Sequence, residues 1–244
     1  MVMQSQFGIG NGELMASKAV TLLSGGLDSI VATRIAMETT DVVAALTFDY
    51  GQRAYAREGE IAERACEEWG IEFRSIELPW LSEWTDTALV DKGEKLPQTS
   101  PDKVDEGAGD RAKRVWVPNR NGSFVAVAAA FAESTGTDSI IMGLNAEEAK
   151  TFPDNSEEFL RATNEALKLS TLKGVRLESP TLGMTKAEIA QEFMRLDIDP
   201  TLFWCCYEGG RDLCGRCESC ARAVRAFKSA GSWELVSNRF ASKG

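Results

Sequence analysis

Ser24-Gly25-Gly26-Leu27-Asp28-Ser29 directly follows the apolar run Ala19-Val20-Thr21-Leu22-Leu23. An aliphatic and β-branched run of this kind reads as a buried strand. The two glycines let the backbone turn sharply and approach a ligand closely. Asp28 and Ser29 then open a helix-like stretch, Ile30 to Glu38. Strand, glycine loop and helix N-terminus together aim backbone N–H groups and a positive dipole end at an anion, which reads as a phosphate site. The competing reading is a strand-to-helix turn whose serines merely cap the helix.

The same alternation continues outward from the loop. Val42 to Thr47 reads as a second strand, ending in Phe48-Asp49-Tyr50-Gly51-Gln52-Arg53. Ala54 to Trp69 is helix-prone with Ile61, Ala65 and Trp69 on one face, and Glu72 to Leu78 is a third strand. This βαβαβ order predicts an α/β domain, a parallel sheet flanked by helices, over residues 18–200. Residues 1–17 are polar and aperiodic and read as a flexible extension. The stretch 91–114 is rich in Lys, Asp, Glu, Gly and Pro, so a mobile insertion or lid is expected there. Order returns at Val115-Trp116-Val117-Pro118-Asn119-Arg120-Asn121, followed by a small-residue helix from Ser123 to Ser134. Ser139 to Met142 and Val175 to Leu177 are short strands, and Ser156 is placed to cap a helix. Thr185-Lys186-Ala187-Glu188 has the spacing of a capping box.

Bulk composition narrows the function. Twenty-seven basic against 37 acidic residues leave a net charge of −10, which favours a small substrate over direct nucleic-acid contact. The chain contains no histidine. Histidine bases, triads and histidine–metal sites are therefore excluded, and proton transfer falls to carboxylate, lysine, cysteine, water or substrate. No apolar run approaches the length of a membrane span and the N-terminus lacks a signal-peptide pattern, so a cytoplasmic location is expected.

Cys206, Cys214, Cys217 and Cys220 form a C-terminal cluster in which the last three make overlapping C-x-x-C units. Such turns place thiolates on a tetrahedral metal, and four thiolates leave no open position, so a structural Zn²⁺ in a lobe spanning 201–244 is expected. Spacing alone also admits an iron–sulfur cluster. Arg211, Arg216, Arg222 and Arg225 crowd the segment and could offset the charge of a tetrathiolate. Cys66 and Cys205 read as ordinary buried thiols.

The loop has no lysine in the position that nucleoside-triphosphatase loops use, and Ser-Gly-Gly-X-Asp-Ser instead resembles the ATP pyrophosphatases. With the cysteine cluster it resembles the 7-cyano-7-deazaguanine synthase family. The match runs from about Lys18 to Phe227. Its carriers are the loop, Phe48 to Arg53, Val117 to Asn121, Phe152-Pro153-Asp154, Ser179-Pro180, Lys186, and Cys206-Tyr207 with Cys214-Gly215-Arg216-Cys217-Glu218-Ser219-Cys220. The chain departs from the family's usual pattern at Asn155-Ser156 and at Glu148, both on the presumed substrate side.

This resemblance implies an adenine nucleotide alpha hydrolase-like, Rossmann-like fold, a homodimer, and ATP with Mg²⁺ as cosubstrate. It also implies conversion of 7-carboxy-7-deazaguanine and ammonia to the 7-cyano product, through an adenylated acid and then an adenylated amide. Leu23, Ser24, Gly25, Gly26, Leu27, Asp28, Ser29, Ile30, Val31, Ala32 and Thr33, with Gln52, would line the ATP site. Asp28 would hold Mg²⁺ or simply cap its helix. Lys186, a cation at a helix N-terminus where the dipole disfavours it, would neutralise phosphate as charge moves to pyrophosphate; otherwise it is a solvated surface lysine. Arg120 and Asp154 join the catalytic set, and Asn121, Glu148, Phe152 and Asp154 the acceptor site. The alternatives to these last are a turn or N-cap at Asn121-Gly122 and helix capping by Asp154. Two other activities fit the loop: a tRNA thiolase or lysidine-type ligase, and a related adenylating enzyme with a different acceptor.

Overall fold

A computed structural model describes residues 17–241; the proposed extension thus lies almost wholly outside the described residues. Five parallel strands form one sheet: β1 (Lys18–Leu22), β2 (Asp41–Asp49), β3 (Glu72–Glu77), β4 (Ser139–Ile141) and β5 (Arg176–Glu178), in the order β3-β2-β1-β4-β5. The helices are α1 (Leu27–Ala36), α2 (Tyr55–Trp69), α3 (Pro79–Glu83), α4 (Ala108–Val115), α5 (Arg120–Thr135), α6 (Glu157–Ser170), α7 (Lys186–Arg195), α8 (Glu218–Ser229) and α9 (Trp233–Val236). None of them is long and apolar enough to cross a membrane.

The strand period of two sorts β1 between two cores. Ala19 and Leu23 pack with α1, α2, α7 and α8 on one face, while Val20 and Leu22 pack with α5 and α6 on the other. Thr21, the polar residue in this buried run, is satisfied by a 2.7 Å hydrogen bond with Thr33 of α1. The C-terminal lobe joins the first core: Phe193 of α7, Phe203 and Phe227 of α8 are fully buried against one another, with centroids 5.4–5.7 Å apart.

The structure adds to two readings of the sequence. At the end of the stretch 91–114, expected as a mobile insertion or lid, stands α4. The stretch is also tied to the cysteine lobe, where the Thr99 N–H bonds the Arg216 carbonyl at 2.9 Å and Arg111 pairs with Glu218 at 3.1 Å. Composition hid α4 because only Ala112 and Val115 face inward. Helix α5 begins three residues earlier than its alanine run suggests, so Arg120 and Asn121 lie in its first turn. Asn119, at φ +51°, makes the entry bend.

Candidate active site

Chain order reverses between β1 and β4, and in a parallel sheet the crevice beyond the C-terminal strand ends at such a point is where ligands bind. The cleft found there is walled by Leu22 to Ser24, Leu46 to Phe48, Met142 and Gly143, with Gly26, Asp28 and Ser29 of the glycine loop. Gly25 is at φ +72°, and a side chain there would meet the Glu58 carbonyl at 2.7 Å, so loop and α2 are packed backbone to backbone. Gly143 admits the Asp28–Ser29 backbone in the same way: a Cβ would stand 2.6 Å from it. Among the described residues no side chain caps α1. Ser29 instead donates its hydroxyl to the Gly26 carbonyl at 2.9 Å and the Ser24 and Ser29 hydroxyls lie 3.2 Å apart, while their oxygens accept the Gly26 and Ser24 N–H groups, each at 3.3 Å, so the serines fold the loop on itself. Ile30, Val31, Ala32 and Thr33, expected along the ATP site, are completely buried in and beneath α1, and the cleft wall ends at Ser29. Leu27 is also core, whereas Gln52 lines the cleft and bonds the Phe48 carbonyl and the Glu58 carboxylate at 2.9 and 3.0 Å.

Beside the loop, one buried ammonium serves two carboxylates. Lys186 Nζ bonds Asp28 and lies 2.7 Å from Glu148 Oε1, and it is not the solvated lysine of the alternative reading: its side chain is 9 % exposed. Burial pushes the Asp28 carboxyl up, to about 6, against the pull of Lys186 and with the help of Glu148. For Glu148 burial also pushes upward, but Lys186, joined by Arg222 and Arg120, outweighs it and holds the group below its ordinary value. Asn145, wholly buried, holds this arrangement together: its carbonyl accepts the Glu147 and Glu148 N–H groups at 3.1 and 2.9 Å, while its amide reaches Asp28 Oδ2 at 3.4 Å. Asp28 Oδ1 is buried with no hydrogen-bond partner among the described residues. An orphaned carboxylate oxygen next to a phosphate loop suits a hard, oxygen-seeking cation such as Mg²⁺.

A smaller cavity opens from the same region and shares Arg120, Glu148 and Asn155 with the cleft. Trp116 and Phe152 face it with rings inclined by only 12° and centroids 6.0 Å apart, and Asp154, Tyr207 and the apolar Leu89, Val115 and Val117 also line it. Arg120 lies over Tyr50 and Phe124, each 5.8 Å away, and donates to the Asn121 side-chain oxygen at 3.2 Å. Asn121 donates in turn to the Asp154 carbonyl at 3.1 Å. The capping alternative for Asp154 fails, because Ser156 caps α6 by accepting the Phe159 N–H at 3.1 Å. Burial raises the Asp154 carboxyl, with Arg120 opposing.

The four cysteine sulfurs Cys206, Cys214, Cys217 and Cys220 lie within 4.8 Å of one another. A tetrahedron with bonds of about 2.3 Å has sulfurs about 3.8 Å apart, and Cys214 and Cys220 stand at 3.9 Å. Backbone N–H groups of Glu208, Cys214, Cys217 and Cys220 point at the sulfurs at 3.3–3.5 Å, the outer-sphere donors that thiolates need. The residues fit a four-thiolate metal. Arg222 and Arg225, expected to offset its charge, are bonded to Glu218, Glu147 and Asp105 instead. Cys66 is an inert core thiol, pushed up to about 12 by burial. Cys205 is half-buried with its sulfur 3.9 Å from that of Cys220.

Four residues of these sites escape a reading of sequence alone: Glu58, Trp116, Asn145 and Glu147. Trp116 sits in a quoted motif and Asn145 three residues before Glu148, but nothing in the pattern says that their side chains turn inward. Glu58 and Glu147 look like ordinary surface acids on charged stretches.

A parallel α/β domain with a glycine loop at its switch point and a cysteine cluster able to hold a metal defines the class. The chain belongs to the family described as Queuosine biosynthesis protein QueC, whose pattern matches residues 18–231. It is 48 % identical over 219 residues to the 7-cyano-7-deazaguanine synthase of Methanosarcina mazei, covering 88 % of this chain and 95 % of that one. With the enzyme of the same name from Pelotomaculum thermopropionicum it shares 46 % over 216 residues, 88 % and 98 % of the two chains. A solved 4-thiouridine synthetase–RNA complex with bound ATP overlays 76 % of this chain and 41 % of that chain at a TM-score of 0.47 and 19 % identity, too distant to bear on function.

Proposed function

We propose that this chain converts 7-carboxy-7-deazaguanine and ammonia to 7-cyano-7-deazaguanine at the expense of ATP, in the pathway to modified tRNA bases. The observation that carries the reading is the junction of two cavities through Arg120 and Glu148, one walled by the phosphate loop and the other by two near-parallel aromatic rings. A flat bicyclic acceptor in the second presents its carboxylate to a nucleotide in the first. Carboxylate and amide oxygens are very poor leaving groups, so each must be adenylated before it departs as AMP. The acid attacks the α-phosphorus and pyrophosphate leaves; ammonia displaces AMP to give the amide. The amide oxygen then repeats the attack, and loss of AMP and a proton leaves the nitrile.

In this reading the α1 N-terminus with Ser24, Gly25, Gly26 and Ser29 holds the departing pyrophosphate. Lys186 supplies positive charge beside it, where charge accumulates as the bond breaks. Asp28 Oδ1 would hold Mg²⁺, which supplies further charge neutralisation. Trp116 and Phe152 receive the deazapurine ring, Arg120 lies at the junction where the adenylate forms, and Asp154 accepts hydrogen bonds from the ring's N–H edge. The tetrathiolate cluster would hold structural Zn²⁺, which supplies folding energy and no chemistry. A homodimer, a cytoplasmic location and the absence of direct tRNA contact belong to the same proposal; the net charge of −10 supports the last.

The test is mass spectrometry of a reaction containing 7-carboxy-7-deazaguanine, ammonium and Mg-ATP. Nitrile together with AMP is expected. AMP formation without nitrile would move the question to a different acceptor, and absence of ATP turnover by folded, metal-loaded protein would overturn the reading.

A further inference from the structure

Helix α7 carries Lys186 at its first position, so the Lys186 N–H is one of the orphan donors of a helix start. The capping box between Thr185 and Glu188 satisfies the N–H groups of those two residues, not that of Lys186. Glu147 takes it: Oε1 accepts the Lys186 N–H at 3.0 Å. The other oxygen, Oε2, accepts from Arg225 at 2.8 Å and Arg222 at 3.5 Å, both on α8, the helix whose first turn contains Cys220. One carboxylate, 15 % exposed, therefore bridges the cysteine lobe to the backbone of the residue whose ammonium joins Asp28 and Glu148. On its other side the α8 pair is held by Glu218 and Asp105, at 2.8 Å from Arg222 and 2.5 Å from Arg225. The lobe also grips the opposite side of the cleft, where the Trp204 N–H bonds the Gly25 carbonyl at 2.7 Å.

We infer that Glu147 is a positioning residue through which the cysteine lobe sets the place of Lys186 against Asp28 and Glu148, beside the glycine loop. The inference rests on the reading of Lys186 given above. Glu147 does not touch the cleft itself and acts by orientation. Two rigid attachments, at Gly25 and at Lys186, register the loop against the ammonium, and a shift of about 1 Å in such a group costs roughly a hundredfold in rate.

Two variants separate this from a merely structural role. Glu147→Gln keeps an oxygen for the Lys186 N–H but turns an amide toward the arginines, while Arg225→Gln removes the principal tie on the α8 side. With bound zinc and fold retained, Glu147→Gln is expected to lower kcat at least tenfold and to change KM for ATP less than threefold. By hydrogen exchange, the Lys186 amide is expected to exchange at least tenfold faster in Arg225→Gln, although Arg225 lies on α8 and is not in the lining of the cleft. The exchange readout needs no turnover, so it judges the coupling even if the proposed reaction fails in wild-type protein. Unchanged Lys186 exchange in Arg225→Gln would overturn the inference, as would wild-type kcat in Glu147→Gln.

Discussion

Removing the Lys186 ammonium would leave Asp28 and Glu148 buried together with no cation between them. Breaking a buried pair in this way costs about 3–5 kcal/mol, so Lys186→Met is expected to lower Tm measurably in calorimetry and to reduce ATP turnover by at least a thousandfold. Glu58 gives a prediction with a definite sign. Burial raises its carboxyl to about 6, with the Gln52 hydrogen bond opposing. A carboxyl raised on folding binds its proton more tightly in the native state. Its favourable contribution is thus present below about 4.5, the ordinary value, and lost as pH rises through about 6. Glu58→Gln should flatten the stability profile across that window and stabilise the protein by about 1–2 kcal/mol above it, as read from urea midpoints at pH 4.5 and 7. These two residues show what a sequence discloses. The position of Lys186 against its helix dipole marked it as odd, whereas Glu58 sits among the acids of α2 and only the packing of α2 on Gly25 brings it to the cleft.

At the level of elements, the loop between β1 and α1 is held by close backbone contact with α2 as well as by its own two serines. Gly25→Ala meets both an unfavourable φ and the Glu58 carbonyl at 2.7 Å. The substitution should therefore raise KM for ATP tenfold or more while circular dichroism stays unchanged. The strands and α1, α2, α6 and α7 were legible because their periodicities and caps are local: Ser156 and Thr185 both accept the N–H three residues on. Helix α4 and the early start of α5 were not legible. Their sequences are charged or carry Asn-Arg-Asn, and what makes them helical is the long-range seating of Arg111 on Glu218 and of Asn121 on Asp154. The aromatic pair Trp116–Phe152 was half legible: one ring lay in the Phe-Pro-Asp motif, and the other comes from a residue 36 positions earlier.

For the whole molecule, the cysteine lobe is a wall of the hydrophobic core and not an appendage. Cys217 and Cys220 are completely buried in the core that also contains Ile30, Phe193 and Phe227. Cys217→Ala should accordingly unfold or aggregate the protein, and a strong chelator should lower Tm along with bound metal; a soluble, fully active Cys217→Ala variant would contradict the structural-metal reading. The cluster itself was plain from spacing, but its ties to Gly25 and Lys186 were not, since they join parts of the chain far apart in sequence. The central claim is that one cleft adenylates the same acceptor twice. It is tested most directly by supplying 7-carboxy-7-deazaguanine labelled with ¹⁸O in both carboxylate oxygens and following the label by mass spectrometry. Two AMP per nitrile, each carrying one ¹⁸O, are expected. Label in pyrophosphate or in inorganic phosphate, or a single labelled AMP per nitrile, would contradict it.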